Sequence, residues 1–242
     1  MAKVRVYDGN ANDEGSAPDD PSSPYLPGEA MVVLGNIADP PLTRSGFTFV
    51  GWNTAADGGG IVYRTGESDL VTQSLTLYAQ WSGDVSYDGN DNTGGDAPGP
   101  SPYLAGKTVT VVGQGTLAKE GYSFSGWNAR ADGEGDSYAV DEMFPMAGSL
   151  TLYAVWTPDL YSVTYDGNGH TGGSVPQDGG QYEPDSVVTI LGNTGSLVKT
   201  GYRFSGWNTA ANGSGTSLLP DALFLIGADT TLYAKWTPSD NG

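Results

Sequence analysis

The residues of this chain that could bind a metal ion lie in a turn that occurs three times. The turn reads Tyr-Asp-Gly-Asn and begins at Tyr7, Tyr87 and Tyr165. Carboxylate and amide oxygens are the ligands that Ca²⁺ prefers, and glycine lets a segment bend around an ion. The turns therefore provide candidate calcium ligands, which are Asp8, Asp88, Asn90 and Asp166.

The same tetrapeptide is also what a strand-ending turn requires, because Asp-Gly and Gly-Asn pairs accept positive φ. An EF-hand loop beginning at Asp88 would need glycine at its sixth position and glutamate at its twelfth. The chain has Thr93 and Gly99 at those positions. We expect turn formation to be the main role, keep calcium as an alternative, and predict no required cofactor.

The composition offers few candidate catalytic residues. The chain has no cysteine and one histidine, His170, so it cannot form a zinc site from Cys and His or a repeated Ser–His–Asp triad. Carboxylate pairs for glycoside hydrolysis stay open, because acidic residues are abundant, but no pair stands out in the repeated pattern. A Lys–Asn crosslink at Lys119 and Lys199 would have no counterpart at Arg44. We therefore expect no enzyme.

Charge and hydropathy limit the partners and the location. With 28 acidic and 10 basic residues, the net charge is −18, which disfavours nucleic acids and anionic lipids as partners. No apolar run is long enough for membrane insertion, and we expect a solvated, monomeric protein. The opening Met1-Ala2-Lys3 shows no signal peptide, which leaves a cytoplasmic protein or a piece of a longer exported chain.

One longer pattern organises the whole chain. Gly-Tyr-x-Phe-x-Gly-Trp-Asn, or a close variant, begins at Gly46, Gly121 and Gly201, and each copy precedes an Asp-Gly or Asn-Gly pair and a Leu-Tyr-Ala-x-Trp segment. These copies predict three modules, at residues 1–82, 83–157 and 158–242, which we call repeats 1, 2 and 3. The short linkers at 82–83 and 157–160 favour semi-rigid neighbours.

Hydrophobic periodicity predicts strands within each repeat. Val109 and Val111 flank Thr110, and the last strand alternates in the same way, which is typical of a sheet with one face on a core. The pair Asp57-Gly58 and its counterparts favour a type I′ hairpin turn. No stretch has the length and 3.6-residue periodicity of a confident helix. The fold class is therefore mainly β, α+β at most.

Two sets of side chains in the repeated pattern are candidates for contacts. Tyr78, Tyr153 and Tyr233 lie on the strand face opposite the core leucines, so they form a candidate exposed contact row. A basic residue precedes each central motif, and in so acidic a chain we expect it to form an ion pair within its own repeat. These three residues are Arg44, Lys119 and Lys199.

The combined pattern resembles the Listeria–Bacteroides repeat, which is similar to the B-repeats of listerial internalins. The resemblance covers nearly the whole chain, three times over. It implies a tandem array of three small β-grasp-like modules from a bacterial or archaeal cell-surface protein, with no catalytic residues.

The resemblance leads us to expect an extracellular spacer or stalk, attached to the cell through other parts of its parent protein, with neighbouring domains as its partners. One alternative is an adhesive module that binds a host or cell-surface protein or a glycan through its variable loops. A second is a linker made rigid by calcium.

Overall fold

The computed structural model describes residues 1–239, which contain 18 strands and no helix. The mainly β class is confirmed, and the connection that leads to the last strand of each repeat holds a short strand. No helix in the described part of the chain has the length and hydropathy to cross a membrane.

Within residues 1–239, repeats 1 and 3 have six strands each in the same order, whereas repeat 2 shares its first strand with repeat 1 and has one additional short strand. Those of repeat 1 are β1 (Arg5–Asp8), β2 (Ala30–Val32), β3 (Thr48–Asn53), β4 (Val62–Tyr63), β5 (Ser68–Leu70) and β6 (Leu75–Asp88). Those of repeat 2 are β7 (Ser101–Leu104), β8 (Thr108–Thr110), β9 (Tyr122–Asn128), β10 (Ser137–Tyr138), β11 (Met143–Pro145) and β12 (Leu150–Pro158). Those of repeat 3 are β13 (Val163–Asp166), β14 (Val187–Thr189), β15 (Tyr202–Asn208), β16 (Ser217–Leu218), β17 (Leu223–Leu225) and β18 (Thr230–Pro238).

Each repeat is built on a mixed sheet whose first and last strands run parallel. In repeat 1, β1 pairs with β6 in parallel, while β3 pairs with β6 and with β4 in antiparallel fashion. The register of β3 against β6 shifts between Phe49 and Gly51. Gly51 has φ of 134°, and a Cβ there would lie 3.2 Å from the carbonyl oxygen of Tyr63. The glycine before the tryptophan thus permits the expected bulge.

The core lies between this sheet and a separate two-stranded sheet, which is β2–β5 in repeat 1 and β14–β17 in repeat 3. Trp52 and Leu77 from the main sheet and Met31 from β2 are at most 1% exposed. Successive side chains of a strand point to opposite faces, so the alternating sequence delivers one apolar face to each core. Trp127 and Trp207 are buried in the same way.

The chain divides into two compact units, residues 1–117 with 125–155, and residues 118–124 with 156–242. Within the first unit, β6 runs for 14 residues without a break and serves as the last strand of repeat 1 and the first strand of repeat 2. The predicted linker at 82–83 is therefore wrong. Ser82 and Gly83 lie inside β6 and pair with Leu104 and Tyr103 of β7.

The prediction of a type I′ turn is also wrong. Pairing of β3 with β4 stops at Asn53 and Val62, so the connection is an eight-residue loop. Gly58 has φ of 78°, whereas Asp57 is not among the residues with positive φ, and a type I′ turn needs positive φ at both central residues. The amide of Gly58 instead donates to the carbonyl of Ala55 at 3.1 Å.

Candidate functional site

A tyrosine and a tryptophan clamp one backbone residue in each repeat. In repeat 1, the Tyr7 hydroxyl accepts a hydrogen bond from the amide of Leu34 at 2.9 Å, and Trp52 Nε1 donates to the carbonyl of Leu34 at 2.8 Å. The two rings meet edge to face at 4.7 Å. The pairs Tyr87–Trp127 and Tyr165–Trp207 repeat this arrangement on Val112 and Leu191. These aromatic side chains are occupied in the core.

Burial also changes the acidity of the clamp tyrosines. Removal from water raises the pKa of Tyr7 above its usual value of about 10, and the hydrogen bond from Leu34 opposes that shift. Burial likewise raises the pKa of Tyr87 and of Tyr165. All three hydroxyls are therefore neutral at physiological pH. A neutral hydroxyl suits the structural hydrogen bond described above, whereas a nucleophilic tyrosine would have to be ionised.

The asparagine of Gly-Trp-Asn builds the loop that follows it, a role that the sequence analysis did not assign. Asn53 Oδ1 accepts from the amides of Ala55 and Gly60, and Nδ2 donates to the carbonyls of Gly58 and Gly60. Asn53, Asn128 and Asn208 are each 1% exposed. The sequence feature that could have predicted this role is the asparagine that follows the tryptophan in all three copies.

The Tyr-Asp-Gly-Asn segment forms an Asx turn in every repeat. Asp8 Oδ1 accepts the amide of Asn10 at 2.8 Å, and Asn10 Nδ2 donates to the carbonyls of Ala56 and Ala79, both at 2.8 Å. Asp88 with Asn90 and Asp166 with Asn168 form the corresponding bonds. One oxygen of each candidate aspartate therefore closes its own turn. Residues 1–239 contain no cluster of three or more His, Cys, Asp or Glu side chains suited to a metal.

The structure places the candidate calcium-binding aspartates beside the tyrosines of the candidate contact row. Asp8 is the register partner of Tyr78, Asp88 of Tyr153, and Asp166 of Tyr233. Each tyrosine is partly buried, and each aspartate is exposed. One tyrosine and one carboxylate thus lie side by side in each repeat, on neighbouring parallel strands.

The basic residues before the central motif do not form the predicted ion pairs. The guanidinium of Arg44 lies 4.9 Å from the ring centre of Phe47, and Lys119 and Lys199 lie over Tyr122 and Tyr202 at 5.1 and 5.3 Å. The ion pair of the described residues joins Arg130 and Asp132 instead. An adjacent aromatic face takes the place of a carboxylate, and Arg44 and Lys199 also donate to a backbone carbonyl.

Lys199, which is a crosslink candidate by sequence, forms a main-chain hydrogen bond. Its Nζ donates to the main-chain carbonyl of Asn168 at 3.1 Å and not to a side-chain amide. His170 is exposed on the loop after Asn168.

The sequence model of the Listeria-Bacteroides repeat domain matches residues 11–80, 84–155 and 161–235. A relative from Evansella cellulosilytica, named as a Gly-rich membrane protein, is 35% identical over 96% of this chain and 26% of its own length. Internalin H of Listeria monocytogenes is 32% identical over 51% of this chain and 20% of its own length. The chain therefore spans about a quarter or less of these relatives, and no solved structure matches it. Because the three matches together cover most of the sequence, the chain belongs to the Listeria-Bacteroides repeat family and carries three tandem copies of its domain.

Proposed function

We propose that this chain is a non-enzymatic spacer in a larger protein of the bacterial or archaeal cell surface. The observation that carries the proposal is the continuity of β6, whose 14 residues serve repeats 1 and 2 within one eight-stranded sheet. A shared strand couples two repeats through main-chain hydrogen bonds, and such coupling resists bending at the junction. Rigid coupling with little chemistry is what a spacer requires.

The comparisons support the surface location. The two relatives are named as a membrane protein and an internalin, and the chain corresponds to a fraction of each. The tyrosine and tryptophan of each core clamp, and the asparagine of each Asx turn, make hydrogen bonds within their own repeat. These repeated residues therefore stabilise the fold of the repeat. We propose the three repeats, with the boundaries given above, as the units of that scaffold.

Small-angle X-ray scattering tests the spacer. Three repeats of about 30 Å placed end to end give a radius of gyration of about 27 Å, whereas a single globule of this length gives about 18 Å. We expect the larger value with a rod-like profile. A value near the smaller one contradicts the spacer.

An adhesive module is the second candidate, and the partly exposed tyrosines beside exposed carboxylates favour it. A tyrosine ring can stack on a sugar or an apolar side chain while the adjacent carboxylate accepts hydrogen bonds. Replacing Tyr78, Tyr153 and Tyr233 together by serine should then abolish binding to intact host or bacterial cells. Equal binding by the variant and the parent chain would remove this candidate.

Calcium-rigidified linkage is the remaining alternative. It has less support, since one oxygen of each turn aspartate already accepts the amide of its own Asx turn. It predicts a melting temperature that rises in millimolar calcium, and an unchanged melt in chelator removes it.

A further inference from the structure

Repeat 1 has a cleft that a neighbouring repeat partly fills, which leaves a volume of about 220 Å³. Its floor is Gln80 and Trp81 of β6, and one wall is the loop at Ala56 and Asp57. Leu104 and the residues after it, from repeat 2, line the cleft and narrow it, and the amide of Ala105 donates to the carbonyl of Trp81 at 2.8 Å. An extended segment of one repeat therefore adds to the edge of the last strand of the repeat before it.

The corresponding cleft of repeat 3 is open. It has a volume of about 410 Å³, and Lys235 and Trp236 occupy the positions of Gln80 and Trp81. Gln80 and Trp81 are 6% and 3% exposed, whereas Lys235 is exposed and Trp236 is partly exposed.

The space around the loop glycine differs between the two clefts in the same way. A Cβ on Gly58 would lie 2.9 Å from a methyl carbon of Leu104, but one on Gly213 would meet no atom within 4 Å. The two clefts share their framework, so the open one has the shape that receives an extended segment.

The charge of the open cleft differs from that of the partly filled one. Two lysines, Lys199 and Lys235, line it in a chain whose net charge is −18. Lys199 Nζ donates to the carbonyl of Asn168, and Lys235 Nζ donates to Ser217 Oγ at 3.0 Å. An ammonium has three donors, so both lysines retain donors for a ligand.

Edge geometry limits how far a strand can pair here. Gly83, which pairs with Tyr103 of β7, corresponds to Pro238 in repeat 3. Proline has no amide hydrogen and protects sheet edges. A ligand strand can therefore use the carbonyl of Trp236, as Ala105 uses that of Trp81, but gains less from the residues beyond it. Side-chain charge must supply more of the affinity.

We propose that the cleft of repeat 3 binds an extended acidic peptide segment of another repeat of the same family, with a carboxylate between Lys199 and Lys235. The segment is the one that precedes the second strand of a repeat, and its acidic residue stands at the position of Leu104. Repeat 3 itself has an acidic residue, Glu183, at that position. The inference rests on the proposed spacer function and deepens it, since it specifies which kind of neighbour attaches to this end.

The test uses the full chain and three blocked peptides, Ser-Pro-Tyr-Glu-Ala-Gly and its versions with Gln or Leu in place of Glu. Titration of the isotope-labelled chain, followed by NMR, should shift the amide signals of Lys235 and Trp236 and the indole signal of Trp236. We expect millimolar binding of the Glu peptide and binding about two- to fivefold weaker for the Gln and Leu peptides, which is the worth of an exposed ion pair. Raising the salt concentration should remove the difference.

Lys235→Gln, which restores the residue of repeat 1, should reduce affinity for the Glu peptide to that for the Gln peptide. Gln80→Lys is the matched control, and it should leave peptide binding unchanged because Leu104 already occupies the position of the ligand residue in that cleft. Equal affinity for all three peptides, unchanged Trp236 signals, or full affinity in the Lys235→Gln variant would each overturn the proposal. The spacer function depends on the scattering result alone, so the two can fail separately.

Discussion

The exits of repeat 1 and repeat 3 are nearly identical up to a tryptophan and then diverge. After Trp81, β6 continues through Gly83 into repeat 2, and the amide of Asp84 donates to Ser149 Oγ at 3.1 Å. After Trp236, β18 ends at Pro238, and the amide of Ser239 donates to the carbonyl of Gly201 at 3.0 Å. The two exits therefore differ in which amide reaches one main-chain acceptor.

That acceptor is the carbonyl of the glycine that opens the central motif. In repeat 1, the carbonyl of Gly46 receives the amide of Ser149 from repeat 2 at 2.7 Å. A Cβ on Gly83 would lie 2.7 Å from Met146 Cε and 2.9 Å from the Ser149 nitrogen. Only glycine at position 83 lets repeat 2 approach this closely. This one position therefore distinguishes β6, which continues into the next repeat, from β18, which ends.

The entries of the same two repeats also differ. The first strand begins with Arg5 in repeat 1 and with Val163 in repeat 3, and they are 5% and 1% exposed. In the described part of the chain, Arg5 Nε and Nη1 have no hydrogen-bond partner. Buried polar groups left without hydrogen-bond partners cost free energy, so Arg5 should destabilise repeat 1 relative to the valine that repeat 3 has at this position.

The largest effect should come from Gly83→Pro, which gives repeat 1 the residue found at the exit of repeat 3. The ring would remove a main-chain donor from the middle of β6 and clash with Met146. We expect a loss of more than about 3 kcal/mol in the free energy of unfolding, measured by urea unfolding, with faster amide exchange in β7.

Pro238→Gly is the matched control, and it should change stability by less than about 1 kcal/mol. Wild-type exchange of the β7 amides in the Gly83→Pro variant would contradict the shared-strand interpretation.

Arg5→Val should stabilise repeat 1 by about 1–4 kcal/mol, because a buried guanidinium with two nitrogens that lack partners among the described residues is replaced by the side chain that the other repeats use. Val163→Arg should destabilise repeat 3 by several kcal/mol for the same reason. Thermal unfolding of both variants tests the pair. A lower melting temperature for Arg5→Val would show that Arg5 makes a stabilising interaction in solution.

Leu104→Glu, which introduces the residue of repeat 3, should lower the free energy of unfolding by about 1–2 kcal/mol, because it removes apolar contact from the loop at Gly58. Leu26→Glu is the matched control, since Leu26 follows the same Ser-Pro-Tyr sequence but is 63% exposed. The control should change stability by less than about 0.5 kcal/mol. Equal effects of the two substitutions would mean that the cleft of repeat 1 is not narrowed by Leu104.

The last effect should appear only at alkaline pH. Burial, with a hydrogen bond to Asp20, raises the pKa of Tyr25 to about 12, against about 10 in an unfolded chain. A raised pKa stabilises the fold below pH 10, and that contribution is lost between pH 10 and pH 12. Urea midpoints should therefore fall over this range, and less steeply in Tyr25→Phe. If the urea midpoints of the variant and of the parent chain fell equally steeply with pH, Tyr25 would not be the cause of the loss of stability. Burial with Asp178 also raises the pKa of Tyr182, so repeat 3 should show the trend too.

Much of the fold was readable from particular residues. Alternation at Val109 and Val111 predicted a buried strand face, and the glycine before each tryptophan predicted a bulge, since only glycine tolerates that backbone without strain. The turn at Asp57-Gly58 was misjudged because the side chain of Asn53, and not the turn pair, sets the loop. The ion pairs predicted for Arg44 and its counterparts were wrong, because these cations lie over neighbouring aromatic rings and none has a carboxylate at ion-pair distance among the described residues.

The sequence by itself determined the number of repeats, the mainly β class and the family, because local periodicity and a threefold pattern encode them. Only the tertiary structure decided that repeats 1 and 2 share β6 and that Asp8 lies beside Tyr78. It also decided that the cleft of repeat 3 is open while that of repeat 1 is partly filled by Leu104. These features depend on which strands pair across about 70 residues of chain, and strand pairing is a contact between distant segments that no local pattern records.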